Sequence, residues 1–417
     1  MISYQNTKKI LQKAIIKIND ELVQSVNSLN RVSSTDIYSR FNYPSGDNSS
    51  FDGYAINSND TKDIRKNKPK HFKIIGLIAA GRNSFKKKVK KFDAVEIMTG
   101  GIIPKGFDTI IPIEQIKFYP NKENKKFILI YKKIPKHNNV RLKGSDYKKN
   151  DLVIKKNTII QPKHILALKT LGITKINVKK KINILFFSTG NEISNKNIIQ
   201  NWQVRNSNTS YIKSLDDNFL FNFKDGGILR DHHVKIFKTK INQMLKSNID
   251  IIITSGAVSA GKFDFVPSVI KTFKLSNYFK GAAIRPGKPV LFAKIKGKQK
   301  VIFGLPGNPM SSAACFRFFV LPFVFNILGL AKERPVKAIL KNDFIKKKDF
   351  TRFLKSRLNT TNNGKIEVQI LKGQESFRIK SFNKSNIWTL LPAGKSKFKK
   401  GEIVDCFFPN QPNQTLI

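Results

Sequence analysis

The chain has 417 residues and a hydrophobic fraction of 40%, which is enough for several domains with their own cores and excludes a disordered protein. Its two cysteines, Cys315 and Cys406, are too few for a disulfide framework, so we expect a reducing, cytoplasmic compartment. A formal net charge of +49 would suit a nucleic-acid-binding protein, but the lysines are spread along the chain and no nucleic-acid-binding module accompanies them. We therefore expect a solvated basic surface that attracts anionic substrates, and no nucleic-acid partner.

The first part of the chain predicts a helical segment followed by a β-rich module. Apolar residues recur near helical spacing between Asn6 and Val32, which predicts a largely helical segment. From Tyr43 to Ile134, short apolar runs alternate with Gly, Pro and Asn clusters, a pattern typical of short strands and turns. A further short helix is expected over Gln161–Gly172.

The middle of the chain alternates apolar strands with helices, which predicts a three-layer α/β domain around a mostly parallel sheet. The last apolar stretch, Met310–Leu330, contains Arg317, Pro322 and Asn326, so we interpret it as a buried core helix and not as a membrane span. After Lys332 short strands return and indicate a C-terminal β module. The strands predicted in the middle are Ile182–Phe187, Asp250–Thr254 and Val301–Leu305, and the helices are Ile236–Leu245 and one after Pro309.

Glycine-rich turns follow these strands, where open α/β sheets bind their ligands. After Asp250–Thr254, the glycines of the turn would let backbone amides approach a phosphate, and the hydroxyls would add donors. The alternative is a plain strand-to-helix turn. The residues concerned are Ser255, Gly256, Ser259 and Gly261.

Two further turns contain proline. In Pro306-Gly307-Asn308-Pro309, the asparagine suits a helix N-cap and the second proline suits the first helical position, so free amides would face an anion. The alternative is a stiff connector. Arg285 and Lys288 flank a rigid turn, and both are side chains that bind phosphate.

Carboxylates near these turns suggest a hard metal ion. Glu192 follows the first strand and could alternatively be a first-turn helix residue favoured by the helix dipole. Asp264 follows the second and could alternatively cap the next helix. The five histidines lack metal-ligand spacing, so a zinc site is not expected. Carboxylates together with substrate phosphates would suit Mg²⁺. Outside this domain, Asp52-Gly53 is by itself only a turn signal.

Taken in order, these segments resemble the MoeA family, the molybdopterin molybdenumtransferases. The resemblance rests on motifs that are modest singly but specific in series: Asp52-Gly53-Tyr54-Ala55, Thr99-Gly100 with Pro104, Ser188-Thr189-Gly190, Ser255-Gly256 with Ser259 and Gly261, Arg285-Pro286-Gly287-Lys288-Pro289, and Leu305-Pro306-Gly307-Asn308-Pro309. It covers most of the chain and extends weakly to Leu390–Gly394.

The resemblance implies a multidomain α/β fold and a homodimer with sites between subunits. The implied domains are a helical linker domain (1–42 and 135–178), a β-rich insertion (43–134), a molybdopterin-binding α/β domain (179–331) and a C-terminal β-barrel-like domain (332–417). The implied reaction takes adenylylated molybdopterin and molybdate, uses Mg²⁺ and releases AMP. The resemblance also implies a transient contact with molybdopterin adenylyltransferase. We expect no membrane partner.

Carried over by position, the resemblance assigns catalytic roles to Asp52, Thr99, Glu192, Asp231 and Asp264, of which the last three would bind the metal. The residues to which the resemblance assigns substrate binding are Ser255, Gly256, Ser259, Gly261, Arg285, Lys288, Pro306, Gly307, Asn308 and Pro309. The chain departs from the family's common residues with Phe51 for Met, Asn191 for Asp and Ala257 for Gly. The Ala257 methyl group would limit how closely a phosphate approaches the backbone at that turn, and Asn191 would remove one metal-binding carboxylate.

Three alternatives compete with this interpretation. The central domain could belong to a molybdopterin adenylyltransferase-like enzyme, but such domains lack the 52–108 module and the C-terminal domain. A non-catalytic scaffold of related fold is a second alternative, against which the retained carboxylates argue. A basic nucleic-acid binder is the third.

Overall fold

The computed structural model describes residues 1–79, 81, 85, 87–216, 220–259, 261 and 264–409. These residues form two compact units. One comprises the described residues of 1–35, 156–161 and 176–409, and the other comprises those of 36–155 and 162–175.

The larger unit contains a mixed six-stranded sheet. Its first four strands are parallel, the fifth is antiparallel to them, and the sixth is antiparallel to the fifth and so runs in the same direction as the first four. The expectation of a mostly parallel sheet is therefore confirmed. The connections on either side of the antiparallel strand, residues 281–290 and 296–300, are short, whereas a parallel crossover needs about a dozen residues or more. The spatial order is Phe221–Leu229, Ile182–Thr189, Ile251–Ser255, Val301–Leu305, Leu291–Ile295 and Leu275–Lys280.

Helices cover both faces of this sheet, as expected for three layers. Neighbouring strand residues point to opposite faces, so Ile253 and Phe303 belong to one core while Ile252 and Ile302 belong to the other. The helices are Ser207–Lys213, Val234–Leu245, Val266–Lys271 and a continuous helix composed of Pro309–Cys315, a π-helical turn Phe316–Val320 and Leu321–Ile327. This last helix is long and apolar enough to cross a membrane, but 89% of it is buried inside the protein, which confirms the core-helix interpretation.

A closed barrel follows the α/β sheet. Its first long strand pairs with both its second and its fifth, the last in spatial order, which closes the sheet on itself. The strands are Thr351–Thr360, Ile366–Ile370, Val336–Leu340, Ile403–Phe407 and Ile387–Leu391, in spatial order. The short strand Ile284–Arg285 adds to this barrel in parallel with Thr351–Arg352. Phe344–Ile345 pairs with Lys397–Phe398, and Lys380–Asn383 forms a short helix.

The N-terminal segment differs from its prediction. The helix covers only Tyr4–Lys13, and a short strand, Asp20–Gln24, pairs with Lys175–Lys179. The prediction of a helix as far as Val32 was wrong because its apolar residues do not share one buried face: Ile16 and Ile18 are buried, whereas Leu22 is 61% exposed. A 3₁₀ turn, Ser25–Asn27, follows the strand.

The smaller unit is β-rich, as the sequence predicts. Its six-stranded sheet has the order Thr109–Pro112, Gly53–Ile56, Asp93–Ile97, Lys70–Ile78, Lys125–Ile130 and Lys117–Pro120. Two short pairs, Asn48–Ser49 with Val140–Arg141 and Ile37–Tyr38 with Leu152–Ile154, and the predicted helix, observed at Pro162–Thr170, complete it. Ser58–Thr61 and Ile113–Gln115 are 3₁₀ turns.

A buried ion pair attaches the long helix to the segment that leads into the barrel. The Arg317 guanidinium lies 2.6 Å from a Glu333 carboxylate oxygen, and the two side chains are only 2% and 9% exposed. The same guanidinium donates to the Phe408 carbonyl. Glu333→Ala should therefore destabilise the protein by about 3–5 kcal/mol, because it leaves a buried cation without its anion.

Chemical denaturation measures this loss. Asp405→Ala is the matched control, since it breaks an ion pair with Lys337 that is exposed to solvent, and it should cost at most about 1 kcal/mol. Equal losses for the two variants would show that burial does not strengthen the first pair.

Candidate active site

The predicted turns of the α/β domain lie at one edge of its sheet. Ser188 is opposite Ser255 on the neighbouring strand, and Ser255 is opposite Leu305 on the next, so these three strands end at the same level. The strand after the Arg285–Lys288 turn runs antiparallel, with Leu291 opposite Gly304, so that turn opens at this edge too.

Strand order fixes the sequence of side chains along this edge. Asp231 follows the first strand of the sheet, Glu192 the second and Asp264 the third, whereas the turns containing Asn308 and Lys288 belong to the fourth and fifth. At about 4.8 Å per strand, the row spans roughly 19 Å. The edge is therefore acidic at one end and basic at the other.

At the acidic end, hydrogen bonds hold two neighbouring loops together. The Arg230 guanidinium donates to the carbonyls of Gly190, Asn191 and Ile193 at 3.0, 2.8 and 2.9 Å. The Asn191 amide donates to the Asp231 carboxylate at 2.8 Å. An ionised aspartate at 191 could not make this bond, so the departure from the family's common residue trades a carboxylate for a contact that fixes Asp231.

Asp264 closes its own turn. Its carboxylate accepts from the Gly261 amide at 2.7 Å, and its amide donates back to the Gly261 carbonyl at 3.0 Å. The alternative that Asp264 caps the next helix was wrong, because the N-cap of Val266–Lys271 is Phe265.

The three carboxylates do not form a ready-made metal site. Among the described residues, no three His, Cys, Asp or Glu side chains lie close enough to hold an ion, so Glu192, Asp231 and Asp264 do not assemble the expected ligand set. They follow three successive strands of the sheet. Metal binding by these residues stays a prediction that requires further oxygen ligands.

The centre of the edge is a tightly bonded network around Ser255. The Asn208 amide donates to the Ser255 hydroxyl at 2.7 Å and to the Gly307 carbonyl at 2.8 Å. The Ser255 hydroxyl also lies 3.3 Å from the Pro306 carbonyl. Because Ser255 is only 2% exposed, its side chain organises the turns and is not freely presented to a ligand. Sequence reasoning missed Asn208, which comes from a helix without a recognisable motif.

Glycine is required beside this network. Gly256 has a φ of +107°, and a Cβ there would lie 2.5 Å from both the carbonyl and the hydroxyl oxygens of Thr189. The next residue, Ala257, also has a positive φ, of +53°, but its methyl group packs against the core beneath the turn. The methyl at 257 is therefore accommodated in the core. Ser259, farther along, is exposed.

The basic end opens into a cavity of about 1000 Å³ between the sheet edge and the barrel. Four predicted substrate-binding residues line it, namely Arg285, Lys288, Pro306 and Asn308, but Glu192 and Asp264 do not. The helix begins at Pro309 with Asn308 as N-cap, as predicted, although the Asn308 amide donates to Ser376 of the barrel and not to the helix.

Cations outnumber carboxylates in the described lining of this cavity. Both lining carboxylates already have partners, Asp343 with the Lys400 amide and Glu375 with Arg378. The cations are Arg285, Lys288, Lys347, Arg352 and Lys372. The cavity therefore favours an anionic ligand.

Arg352 is the residue that sequence reasoning missed. Its Nε atom is buried without a hydrogen-bond partner, and its backbone is paired with that of Arg285. Burial, and secondarily the Arg285 charge, lower the pKa of the Arg352 guanidinium below its ordinary value. No motif marks Arg352, because its proximity to Arg285 arises from strand pairing between segments distant in the chain.

In the smaller unit, Asp52 and Thr99 lie together. The Thr99 amide and hydroxyl donate to one Asp52 carboxylate oxygen at 2.6 and 2.7 Å. These bonds, the backbone one foremost, lower the pKa of the Asp52 carboxyl from its ordinary value. Asp52 is exposed, so its charge is accessible to a ligand.

Comparisons with known proteins agree with this architecture. Residues 2–172 match the model of the MoeA N-terminal region (domain I and II), 186–326 that of a probable molybdopterin binding domain, and 337–407 that of the MoeA C-terminal region (domain IV).

Relatives match over nearly the whole chain. A molybdopterin molybdenumtransferase of Staphylococcus aureus (strain COL) is 34% identical over 91% of this chain and 88% of its own. One from Staphylococcus epidermidis (strain RP62A) is 30% identical over 97% and 94%. The crystal structure of a molybdopterin biosynthesis MoeA protein from Pyrococcus horikosii superposes with a TM-score of 0.82, at 28% identity over 99% of this chain and 100% of that one. The chain therefore belongs to the MoeA family, the transferases of molybdenum cofactor biosynthesis.

Proposed function

We propose that this transferase moves molybdenum from molybdate onto adenylylated molybdopterin, with Mg²⁺-dependent release of AMP. The single observation that carries the proposal is the pairing of Arg285 with Arg352 at the basic end of the sheet edge. Two neighbouring guanidiniums, one with a buried unbonded Nε, form an unfavourable arrangement that an anion would relieve. The rest of the row supplies room for an extended substrate.

The acidic end would handle the phosphoanhydride. Carboxylate oxygens of Glu192, Asp231 and Asp264 suit Mg²⁺, which often takes only one or two carboxylates and completes its shell with substrate phosphates and water. When bound, Mg²⁺ supplies positive charge that polarises the phosphoanhydride. The carboxylates hold that charge at one end of the row, and the Asn191 amide keeps Asp231 oriented.

The basic end would hold molybdate as substrate. Arg285, Lys288 and Arg352 present charged donors to its oxygens, and the start of the long helix adds the favourable end of its dipole. The two negatively charged reactants repel each other. The protein therefore binds one reactant through the metal held by its carboxylates and the other through its cationic side chains, and both groups of residues lie on one sheet edge.

Arg352→Met should weaken molybdate binding by about 10- to 100-fold, because a charge-assisted hydrogen bond contributes about 1.5–3 kcal/mol. Titration calorimetry with sodium molybdate measures this loss. The variant should be at least as stable as the parent protein, because it removes a cation that lies beside Arg285.

Arg357→Met is the matched control. It removes an exposed arginine from the same barrel strand, Thr351–Thr360, without touching the cavity. Parent-like molybdate affinity in Arg352→Met would contradict the assignment of the anion site.

Asp264→Asn should slow AMP release at least about tenfold and raise the Mg²⁺ concentration needed for it, because the amide removes a negative charge near the metal. The amide oxygen can still accept from the Gly261 amide, so the turn remains intact, which Asp264→Ala would not guarantee. The assay incubates the protein with adenylylated molybdopterin, Mg²⁺ and molybdate, and follows AMP and molybdenum cofactor.

Omitting each component in turn separates the competing reactions. Consumption of ATP and unadenylylated molybdopterin would favour the adenylyltransferase-like alternative, and absence of any turnover by the parent protein would favour the scaffold. Unchanged metal dependence in Asp264→Asn would remove this residue from the metal site.

We also assign Asp52 a part in this reaction as a carboxylate that stays ionised. Thr99→Val removes the hydroxyl donor but keeps the backbone donor, so the pKa of Asp52 should rise part of the way toward its ordinary value. Carboxyl-carbon NMR titration measures the shift, and Thr99→Ser, which keeps the hydroxyl, should leave it unchanged. An unmoved Asp52 pKa in Thr99→Val would mean that the hydroxyl does not set the charge state.

The remaining assignments follow from the family. We propose that the protein acts as a homodimer, receives its pterin from an adenylyltransferase and works in the cytoplasm. Cys315 and Cys406 are both buried and do not form a disulfide, which suits a reducing compartment.

A further inference from the structure

One wall of the anion cavity is a barrel segment without regular secondary structure. Residues 373–377 all line the cavity, between the strand Ile366–Ile370 and the short helix Lys380–Asn383. We call residues 373–378 the wall loop. Because it has no ladder of its own, its position depends on side-chain bonds.

The wall loop is held from inside the barrel by one lysine. The Lys355 ammonium donates to the carbonyls of Gly373, Glu375 and Arg378 at 2.7, 3.2 and 2.9 Å. An ammonium has three protons, so all its donors are used on this one loop. Lys355 is only 2% exposed, and no carboxylate in the described chain forms an ion pair with it.

The backbone of the same residue adds a second attachment. The Lys355 amide donates to the Gln374 side-chain oxygen at 3.0 Å, and the Gln374 amide donates back to the Lys355 carbonyl at 2.8 Å. The Ser381 hydroxyl also donates to the Gly373 carbonyl. Position 355 therefore determines where the whole loop lies.

The wall loop also contacts the start of the long helix. The Ser376 carbonyl accepts from the Met310 amide at 3.3 Å, and the Ser376 hydroxyl accepts from the Asn308 amide at 3.2 Å. A chain of contacts thus leads from Lys355 through the wall loop to the helix terminus beside the cavity. A shift of the loop would change both the cavity wall and the donors at the helix start.

We propose that Lys355 is a positioning residue for molybdate: its buried ammonium, bonded to three wall-loop carbonyls, fixes the cavity wall that the anion binds against. This inference rests on the proposed function. Burying a charge has a large desolvation free energy, and apolar packing could fix the loop without it. Stability alone therefore does not explain a lysine at position 355.

The charge of the Lys355 side chain depends on pH in a range close to neutrality. Burial lowers the pKa of Lys355 to about 8, while Glu375 favours the charged form and Arg378 opposes it. Below this pH the ammonium donates three hydrogen bonds, and above it the neutral amine can donate only two. Molybdate affinity should therefore have a component that is lost as the pH rises through about 8.

Lys355→Met tests the proposal, because it keeps most of the side-chain volume and removes the charge and the donors. We expect molybdate affinity, measured by calorimetry, to fall about tenfold or more at pH 7. Across pH 7 to 9.5, the ratio of parent to variant affinity should shrink as the parent loses its ammonium.

Lys300→Met is the matched control for a purely structural effect. Lys300 also donates to two backbone carbonyls, those of Ser247 and Ile249, but it lies outside the cavity lining. Thermal unfolding measures how much stability each variant loses. For a similar loss of stability, Lys300→Met should retain the molybdate affinity of the parent protein and Lys355→Met should not.

The outcomes separate the two proposals. If the parent protein does not bind molybdate, or Arg352→Met binds it normally, the proposed function fails. If the parent and Arg352→Met behave as expected but Lys355→Met matches Lys300→Met, or the affinity ratio does not change with pH, only the role of Lys355 is overturned.

Discussion

The candidate site depends on a two-residue strand pairing. Ile284–Arg285 lies in parallel beside Thr351–Arg352 and so adds a piece of the α/β domain to the barrel. This pairing places Arg352 of the barrel beside Arg285 of the sheet edge, and both line the cavity. Aromatic packing supports the attachment: Phe318 of the long helix stacks on Phe353 with ring centroids 4.1 Å apart, and Tyr4 packs edge-on against the same ring. Favourable packing thus stabilises a junction at which two arginines are forced together.

The order of strands explains why the functional residues form a row and not a cluster. Residues at successive strand ends are separated by the interstrand spacing, and the three carboxylates of this edge do not meet at one point among the described residues. The same spacing places an acidic end and a basic end within the length of an extended substrate. A protein that joins two anions benefits from this separation, because cations gathered at one point would bind either reactant without bringing them together.

Sequence reasoning predicted the parts of the fold that carry local signals. The apolar runs of Ile182–Thr189, Ile251–Ser255 and Val301–Leu305, and the Asn-Pro start of the long helix, were identified because burial and capping are properties of neighbouring residues. The strand Asp20–Gln24 was missed because it is polar, and it forms only by pairing with Lys175–Lys179, far along the chain.

The same distinction applies to the site. Arg285, Lys288, Pro306 and Asn308 were found because they belong to one domain with recognisable turns. Arg352 and Lys355 were not, because their strand has no motif and its place beside the α/β domain follows from long-range pairing. Glu192 and Asp264 do not line the cavity that Lys288 lines, and the strand order that separates them could not be read from the succession of motifs along the chain.

Burial distinguishes the functional cations in a chain that has 77 lysines and arginines. An exposed lysine costs little and indicates little, whereas a buried cation must be compensated by its surroundings. Arg317 is compensated by Glu333 and is therefore explained by structure alone. Arg352 has an unbonded Nε beside another arginine, and Lys355 has only carbonyl dipoles. Lys346, which is 6% exposed, also donates only to carbonyls, those of Lys347 and Phe350, which line the same cavity as Arg352. These departures from ordinary compensation thus occur around one cavity, which is where a protein that retains unfavourable charges for function would place them.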